Sequence, residues 1–200
     1  PQAPSGYVSL FNGENFDGWR GGSTFDHRAL LQMSEADRAA KITKWNEELV
    51  GHWTVEGDEI VNDGKGSYLT TLQDFGDFEL QLEYKTVPKA DSGVYLRGVP
   101  QVQIWDPTEP DERGLGRAKG SGGLWNNSPG APGKDPLVLA DKPFGEWNQL
   151  RVVMVGARVS VWLNGRQTVD HAILENYYDR NSKDPVIKAN PRPVPRTGPI

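Results

Sequence analysis

The stretch WNQLRVVMVGARVSVWLNGRQTVD, residues 147–170, decides the fold class. Apolar and β-branched runs are broken at Gly156-Ala157 and at Asn164-Gly165. Asn-Gly is the dipeptide that best tolerates the two positive φ angles of a type I′ turn. The segment therefore reads as three strands joined by two tight turns. Upstream, Phe78, Leu80, Leu82 and Tyr84 alternate with Asp77, Glu79, Gln81, Glu83 and Lys85, a period of two that predicts a long half-buried strand. Shorter strands are expected at 8–11, 53–56, 59–62 and 67–72. With 23 Gly and 15 Pro punctuating so many short runs, the pattern is that of an all-β sandwich or barrel.

Bulk composition narrows the function classes. At 200 residues, 36% hydrophobic and with seven Trp, the chain can bury roughly 70% of its unfolded surface, which suits a single domain over 1–200. The net charge is −5 and no basic stripe is present, so a nucleic-acid partner is not expected. No apolar run approaches the ~20 residues of a membrane span. There is no Cys, which excludes disulfides, thiol nucleophiles and thiolate metal sites. His27, His52 and His171 are scattered without metal-ligand spacing, so neither a metal nor any other cofactor is expected. DPTEPDER, 106–113, has four carboxylates but reads as a solvated loop. The sequence opens PQAPSGY without Met, as a processed product or a cut chain would, and any export signal would already have been removed.

Three segments depart from the strand-and-turn pattern. SEADRAAKITKWNEELV, 34–50, offers Ser34 as N-cap with Asp37 three residues on, and Ala40, Ile42, Trp45 and Leu49 at roughly helical spacing, so a helical insertion is expected there. Residues 107–146 are too long for a hairpin loop, and loops of that size in compact domains tend to be functional. The Pro-rich end, PVIKANPRPVPRTGPI, should be extended. Of the tryptophans, Trp19, Trp53, Trp147 and Trp162 are expected in the core.

The chemistry concentrates in DSGVYLRGVPQVQIWD, 91–106. Val94, Leu96, Val102 and Ile104 form an apolar side, whereas Tyr95, Arg97, Gln101, Gln103 and Trp105 form the other. A three-residue turn at Gly98-Val99-Pro100 would set Arg97 opposite Gln101, Tyr95 opposite Gln103 and Gly93 opposite Trp105. Sugars present C–H faces that stack on aromatic rings and hydroxyls that need donors and acceptors in fixed geometry, which amides and a guanidinium supply. A carbohydrate fits this face. An exposed sheet paved by Gln and Arg, with Tyr and Trp covering an edge, explains the same residues.

Seven motifs, SLFNGENFDGW, HWTVEGDEIV, GDFELQLEYK, DSGVYLRGVPQVQIWD, KGSGGLWNN, FGEWNQLRVVMVG and VSVWLNG, occur in an order that resembles the 3-keto-disaccharide hydrolase family over nearly the whole chain. The resemblance implies a concanavalin A-like jelly-roll β-sandwich with a carbohydrate site on its concave sheet, in a bacterial protein that is periplasmic, secreted or lipid-anchored. Many members have Glu where this chain has Gln101, so a role that needs a carboxylate there does not carry over. Members also continue past a GPI motif with a strand bearing a His-Gly pair and a final FRNI-like strand, whereas this sequence stops at Gly198-Pro199-Ile200. If that is truncation, one or two strands are missing.

The activity that the resemblance implies is cleavage of 3-keto-glycosides. A ketone at carbon 3 acidifies the hydrogen on carbon 2, so the bond at carbon 1 can break by elimination through an enolate, followed by water addition; paired-carboxylate hydrolysis is a different route. Such a site requires a base near carbon 2, a cation at the ketone oxygen and an acid for the leaving group. Arg97 is the expected cation and Asp91 the expected base, although Asp91 also reads as a turn-forming residue. Asp106, by parity on the core side, is better suited to hydrogen-bonding the following loop. Tyr95, Gln101, Gln103 and Trp105 are the expected sugar contacts on the hairpin. Lys119 and Trp125 join them from a glycine-rich segment that should fold back beside it, its glycines letting backbone approach ligand. The segment lacks the spacing of a phosphate loop, and no GxSxG nucleophile motif is present. A non-catalytic carbohydrate-binding domain is the alternative, because fold alone does not separate the two. A protein-interaction module would need an apolar outer face, against which the charged alternation of Glu79, Gln81, Glu83 and Lys85 argues.

Overall fold

The computed structural model describes residues 3–200; the first two residues of the PQAPSGY opening lie outside the described residues. The chain forms two compact units, one running to Asp74 and taking in Pro199–Ile200, the other being Phe75–Gly198.

In the first unit, β1 (Trp19–Gly22) pairs antiparallel with β4 (Tyr68–Thr71), and β2 (Trp53–Glu56) pairs with β3 (Glu59–Asn62). The expected strands at 53–56, 59–62 and 67–72 are therefore present. Residues 8–11 form no strand, and β1 takes the ladder position instead. Helix α1 (His27–Gln32) is followed by α2 (Glu35–Leu49), the expected insertion. The Ser34 hydroxyl accepts from the Asp37 N–H at 3.1 Å and donates to its carboxylate at 2.7 Å, and Glu35 and Asp37 place negative charge on the positive end of the helix. Trp45 is the buried residue of α2. The helix lies so close to β1 that a side chain at Gly21 would stand 2.2 Å from the Trp45 carbonyl oxygen. Asn46 Oδ1 accepts from the Gly21 N–H at 2.7 Å and Ser67 Oγ donates to the Trp45 carbonyl at 2.6 Å, which makes α2 a buttress of that ladder.

The second unit is built on a four-stranded antiparallel sheet in the order β10-β9-β8-β5, with β5 (Phe78–Tyr84), β8 (Asn148–Val155), β9 (Arg158–Leu163) and β10 (Arg166–Ile173). The three strands and two tight turns expected over 147–170 are all here. Asn164 at φ 52° and Gly165 at φ 77° make the turn. The inward side chains Val152, Met154, Val159, Val161 and Leu163 are fully buried, each worth about 1.5–3 kcal/mol of stability. The outward face is polar, with Arg151 donating to Glu79 at 2.7 and 2.8 Å. Along β10 the register slips twice, and His171 sits within the irregularity at φ 47°.

A separate hairpin joins β6 (Asp91–Leu96) to β7 (Val99–Trp105). Its turn differs from the expected one. Arg97 at φ 54° and Gly98 at φ 72° form a two-residue loop that sets Leu96 opposite Val99, because two positive φ angles match the twist of the flanking strands. Gly93 consequently faces Gln103 and Asp91 faces Trp105, and Arg97 leaves the amide face for the turn. Leu96, Val99 and Val102 are buried, as the apolar side of the pattern requires.

Residues 107–146 contain only a 3₁₀ turn, Arg117–Lys119, yet they are tied down. Gly122 donates its N–H to Gln103 O at 2.8 Å and Gln103 donates to Gly123 O at 2.9 Å, so the glycine-rich segment does fold back beside β7. Thr168 Oγ1 donates to Gly122 O at 3.0 Å from β10. A side chain at Gly122 would stand 2.6 Å from Thr168 Oγ1, at φ +91°. The close approach at Gly122 is of its backbone to the Thr168 side chain. The Pro-rich end is not wholly extended: α3 (Tyr177–Arg180) precedes α4 (Pro185–Ala189), after which the chain returns to bridge Phe75 with Gly198. Trp45 and Trp105 are the buried tryptophans, whereas Trp19, Trp53 and Trp162 are half-buried and Trp147 is exposed. The indole N–H favours that half-wet position when a carbonyl lies nearby, as Leu10 O does for Trp19 and Ser67 O for Trp53, both at 2.9 Å.

Candidate functional site

The hairpin register brings a chain of polar groups together at one end of β6–β7. Gln101 Nε2 donates to Gln103 Oε1 at 2.6 Å, and Gln103 Nε2 donates to Asp91 Oδ1 at 2.9 Å and to Ser92 O at 3.0 Å. Gln103 is only 2% exposed, so its amide positions Asp91 and is not open to a ligand. Gly93 makes room for this arrangement, since a side chain there would meet Gln101 Oε1 at 2.5 Å. Asp91 carries the chain to the surface, at 58% exposure of its side chain.

Arg117, from the long loop, closes the cluster. Its guanidinium donates to Asp91 Oδ2 at 3.4 Å and to Glu109 Oε2 at 2.6 Å, and lies 5.5 Å from the Trp105 ring centre. Trp105 is buried and donates its indole N–H to Gly120 O at 2.9 Å, so it floors the site from beneath Arg117 and offers no open stacking surface. Trp125 meets Trp105 edge-on at 6.0 Å and donates to Leu115 O at 3.0 Å, bracing the loop. Next to Arg117 a cavity of about 220 Å³ opens, its walls carrying Glu109, Asp111, Glu112 and Arg113. Asp111 accepts from the N–H groups of Leu115 and Gly116 at 2.6 and 2.7 Å, which holds the loop shape.

The other expected site residues fall elsewhere. Arg97 is 2% exposed, and its guanidinium is taken up by Gly76 O at 2.8 Å, Pro195 O at 3.2 Å and Asp77 Oδ1 at 2.9 Å. Three of its five N–H donors are so taken, and its burial keeps the group away from the surface. Lys119 is ion-paired to Asp135. Tyr95 is half-buried and sits at the hairpin irregularity between Val94 and Leu96. Asp106 binds the following loop, as its parity indicates. It accepts from the Thr108 N–H and hydroxyl at 2.7 Å and from the Lys89 N–H at 2.9 Å. Burial alone would raise its pKa, but these donors outweigh it and hold the carboxyl below its ordinary value.

Arg117 and Glu109 are the members that the sequence reading missed. Both lie in a loop without periodicity, and only the fold brings them to Asp91. Among the described residues no group of three or more His, Cys, Asp or Glu could hold a metal ion, and no helix is long and apolar enough to cross a membrane.

The fold and these contacts define an antiparallel all-β protein with a small polar cavity at the end of a hairpin. The chain belongs to the 3-keto-alpha-glucoside-1,2-lyase-like domain family, whose model matches residues 6–200. It is 24% identical over 194 residues to a 3-keto-disaccharide hydrolase of Bacteroides thetaiotaomicron, an alignment covering 86% of this chain and 60% of that protein. The chain thus spans about 60% of that relative's length. Two solved structures from Parabacteroides distasonis, each provisionally named a glycosyl hydrolase, share the fold. One superposes with a TM-score of 0.55 at 21% identity, covering 95% of this chain and 83% of the other; the second with 0.57 at 22% identity, covering 88% and 70%.

Proposed function

We propose that this chain is a glycosyl hydrolase-like enzyme acting on 3-keto-glycosides by elimination and hydration, with its site where Asp91, Arg117 and Glu109 meet. The supporting observation is the placement of an exposed carboxylate between a buried amide and a guanidinium. Gln103 fixes one oxygen of Asp91, and Arg117 stands beside the other. The elimination needs that pairing, because a base must reach the carbon 2 hydrogen while a cation faces the oxygen on which negative charge develops.

In this reading Asp91 takes the carbon 2 proton. The C–H electrons form the enolate, whose oxygen lies against Arg117, and the enolate then re-forms the ketone as a carbon 1–carbon 2 double bond develops and the carbon 1–oxygen bond breaks. The departing oxygen takes up the proton that Asp91 removed, and water adds across the double bond to give the free 3-keto sugar, while Glu109 holds Arg117 in place. Arg117 replaces Arg97 as the cation. Gln101 and Gln103 hold Asp91 in position.

The test is incubation with a 3-keto-disaccharide and with its non-oxidised parent, following released monosaccharide. Release from the keto sugar alone is expected, and Asp91→Asn should reduce it by about 100-fold or more. Binding of both sugars without turnover of either would replace the enzyme with a carbohydrate-binding domain.

A further inference from the structure

The first unit has a cavity of its own, of about 290 Å³, far from a plain apolar gap in its chemistry. Arg20 and Arg38 both line it, together with His27 and Asp74. Each guanidinium is half-buried, and among the described residues neither forms an ion pair with a carboxylate: Arg20 donates to Gly21 O at 2.8 Å and Arg38 to Leu31 O at 3.4 Å. Half-buried cations without a direct ion pair lose hydration and recover little, and burial, partly offset by the charge of Asp74, lowers the Arg20 pKa from its ordinary value. His27, 9% exposed, points Nε2 at Asp74 Oδ2 at 3.1 Å, while its Nδ1 is buried with no hydrogen-bond partner. An unmet buried polar atom calls for an explanation. Leu30, Ile42 and Leu72 supply the remaining wall.

We infer that this cavity binds a small organic monoanion with an apolar body, its carboxylate between Arg20 and Arg38 and its body against Leu30, Ile42 and Leu72. With two guanidiniums against the single carboxylate of Asp74, the cavity has a surplus of positive charge, so the ligand is an anion. The apolar wall selects against a bare inorganic ion. The volume lies at the lower limit of ligand cavities, which restricts the ligand to about one ring. A guanidinium engaged by a carboxylate forms the stronger, charge-assisted kind of hydrogen bond.

Calorimetric titration of the whole chain with benzoate, benzyl alcohol and inorganic phosphate tests this. Benzoate is expected to saturate one site, with benzyl alcohol and phosphate each bound about tenfold or more weakly. Arg20→Gln and Arg38→Gln should each weaken benzoate by at least about tenfold, the loss of one charge-assisted bond. Leu72 is 61% exposed, so Leu72→Glu leaves the core intact and sets a like charge at the wall; it should abolish benzoate binding even if the arginine variants fold poorly. Benzoate bound no better than benzyl alcohol, phosphate bound as well as benzoate, or benzoate unaffected by Leu72→Glu would each overturn the inference. The measurement reads binding and not turnover of a keto sugar, so it stands or fails apart from the reading of Asp91 and Arg117.

Discussion

Two arginines with the same charge have opposite employment in the second unit. Arg97 sits in a turn at positive φ with its donors committed to Gly76, Pro195 and Asp77, and the same Asp77 oxygen accepts from the Gly156 N–H at 2.8 Å. Arg97→Gln strands those acceptors and should destabilise the fold by about 2–3 kcal/mol, seen as a lower Tm with turnover per folded molecule little changed. Arg117 is 14% exposed and touches Asp91, the base of the proposed reaction, and Glu109. Arg117→Gln should cost about 100-fold in kcat on a 3-keto-disaccharide with Tm nearly intact. Equal losses of activity in the two variants would break the assignment of Arg117 to the enolate oxygen.

The hairpins differ in what their glycines do. Gly165 has open space around it and a φ of +77°, so Gly165→Ala meets only backbone strain and should cost about 1 kcal/mol. Gly93 is crowded by the Gln101 side chain and, at 2.8 Å, by the Val102 carbonyl oxygen. A methyl group there displaces the amide that supports Gln103, so Gly93→Ala should cost about 1–3 kcal/mol and also lower turnover. Chemical denaturation and kinetics on the pair separate the two effects. A Gly93→Ala protein with unaltered turnover would show that the amide chain does not position Asp91.

Across the whole molecule, acid stability rests on carboxylates whose donors survive burial. Glu175 accepts from the Ser128 N–H at 2.8 Å and hydroxyl at 2.7 Å and pairs with Arg180. Burial would raise its pKa, but these contacts carry it below its ordinary 4.5, as Asp106 is carried below 3.8. A carboxyl with a depressed pKa in the folded state contributes stability above the unfolded value and loses it as pH falls through the folded one. Tm should therefore hold between pH 7 and about 5 and fall progressively below the ordinary carboxylate values. Glu175→Gln should start lower at neutral pH and fall less steeply. Wild-type and variant curves that run parallel down to about pH 2 would contradict it.

The alternation in 78–84 and the turns at Gly156-Ala157 and Asn164-Gly165 determine four strands locally, because side-chain parity and backbone φ preference act between neighbours in the chain. The Ser34 cap and the helix after it are legible for the same reason. Parity likewise puts Gln101, Gln103 and Trp105 on one face, but it does not reveal that Arg97-Gly98 would turn in two residues and not three. That choice moved Arg97 inward, where Gly76 and Pro195 lie 21 and 98 residues away along the chain. Burial of Gln103, and the arrival of Arg117 and Glu109 at Asp91, depend on such distant contacts. Only the tertiary structure selects them, because the stabilising partner of each charged group is supplied by loop closure and not by its neighbours in sequence.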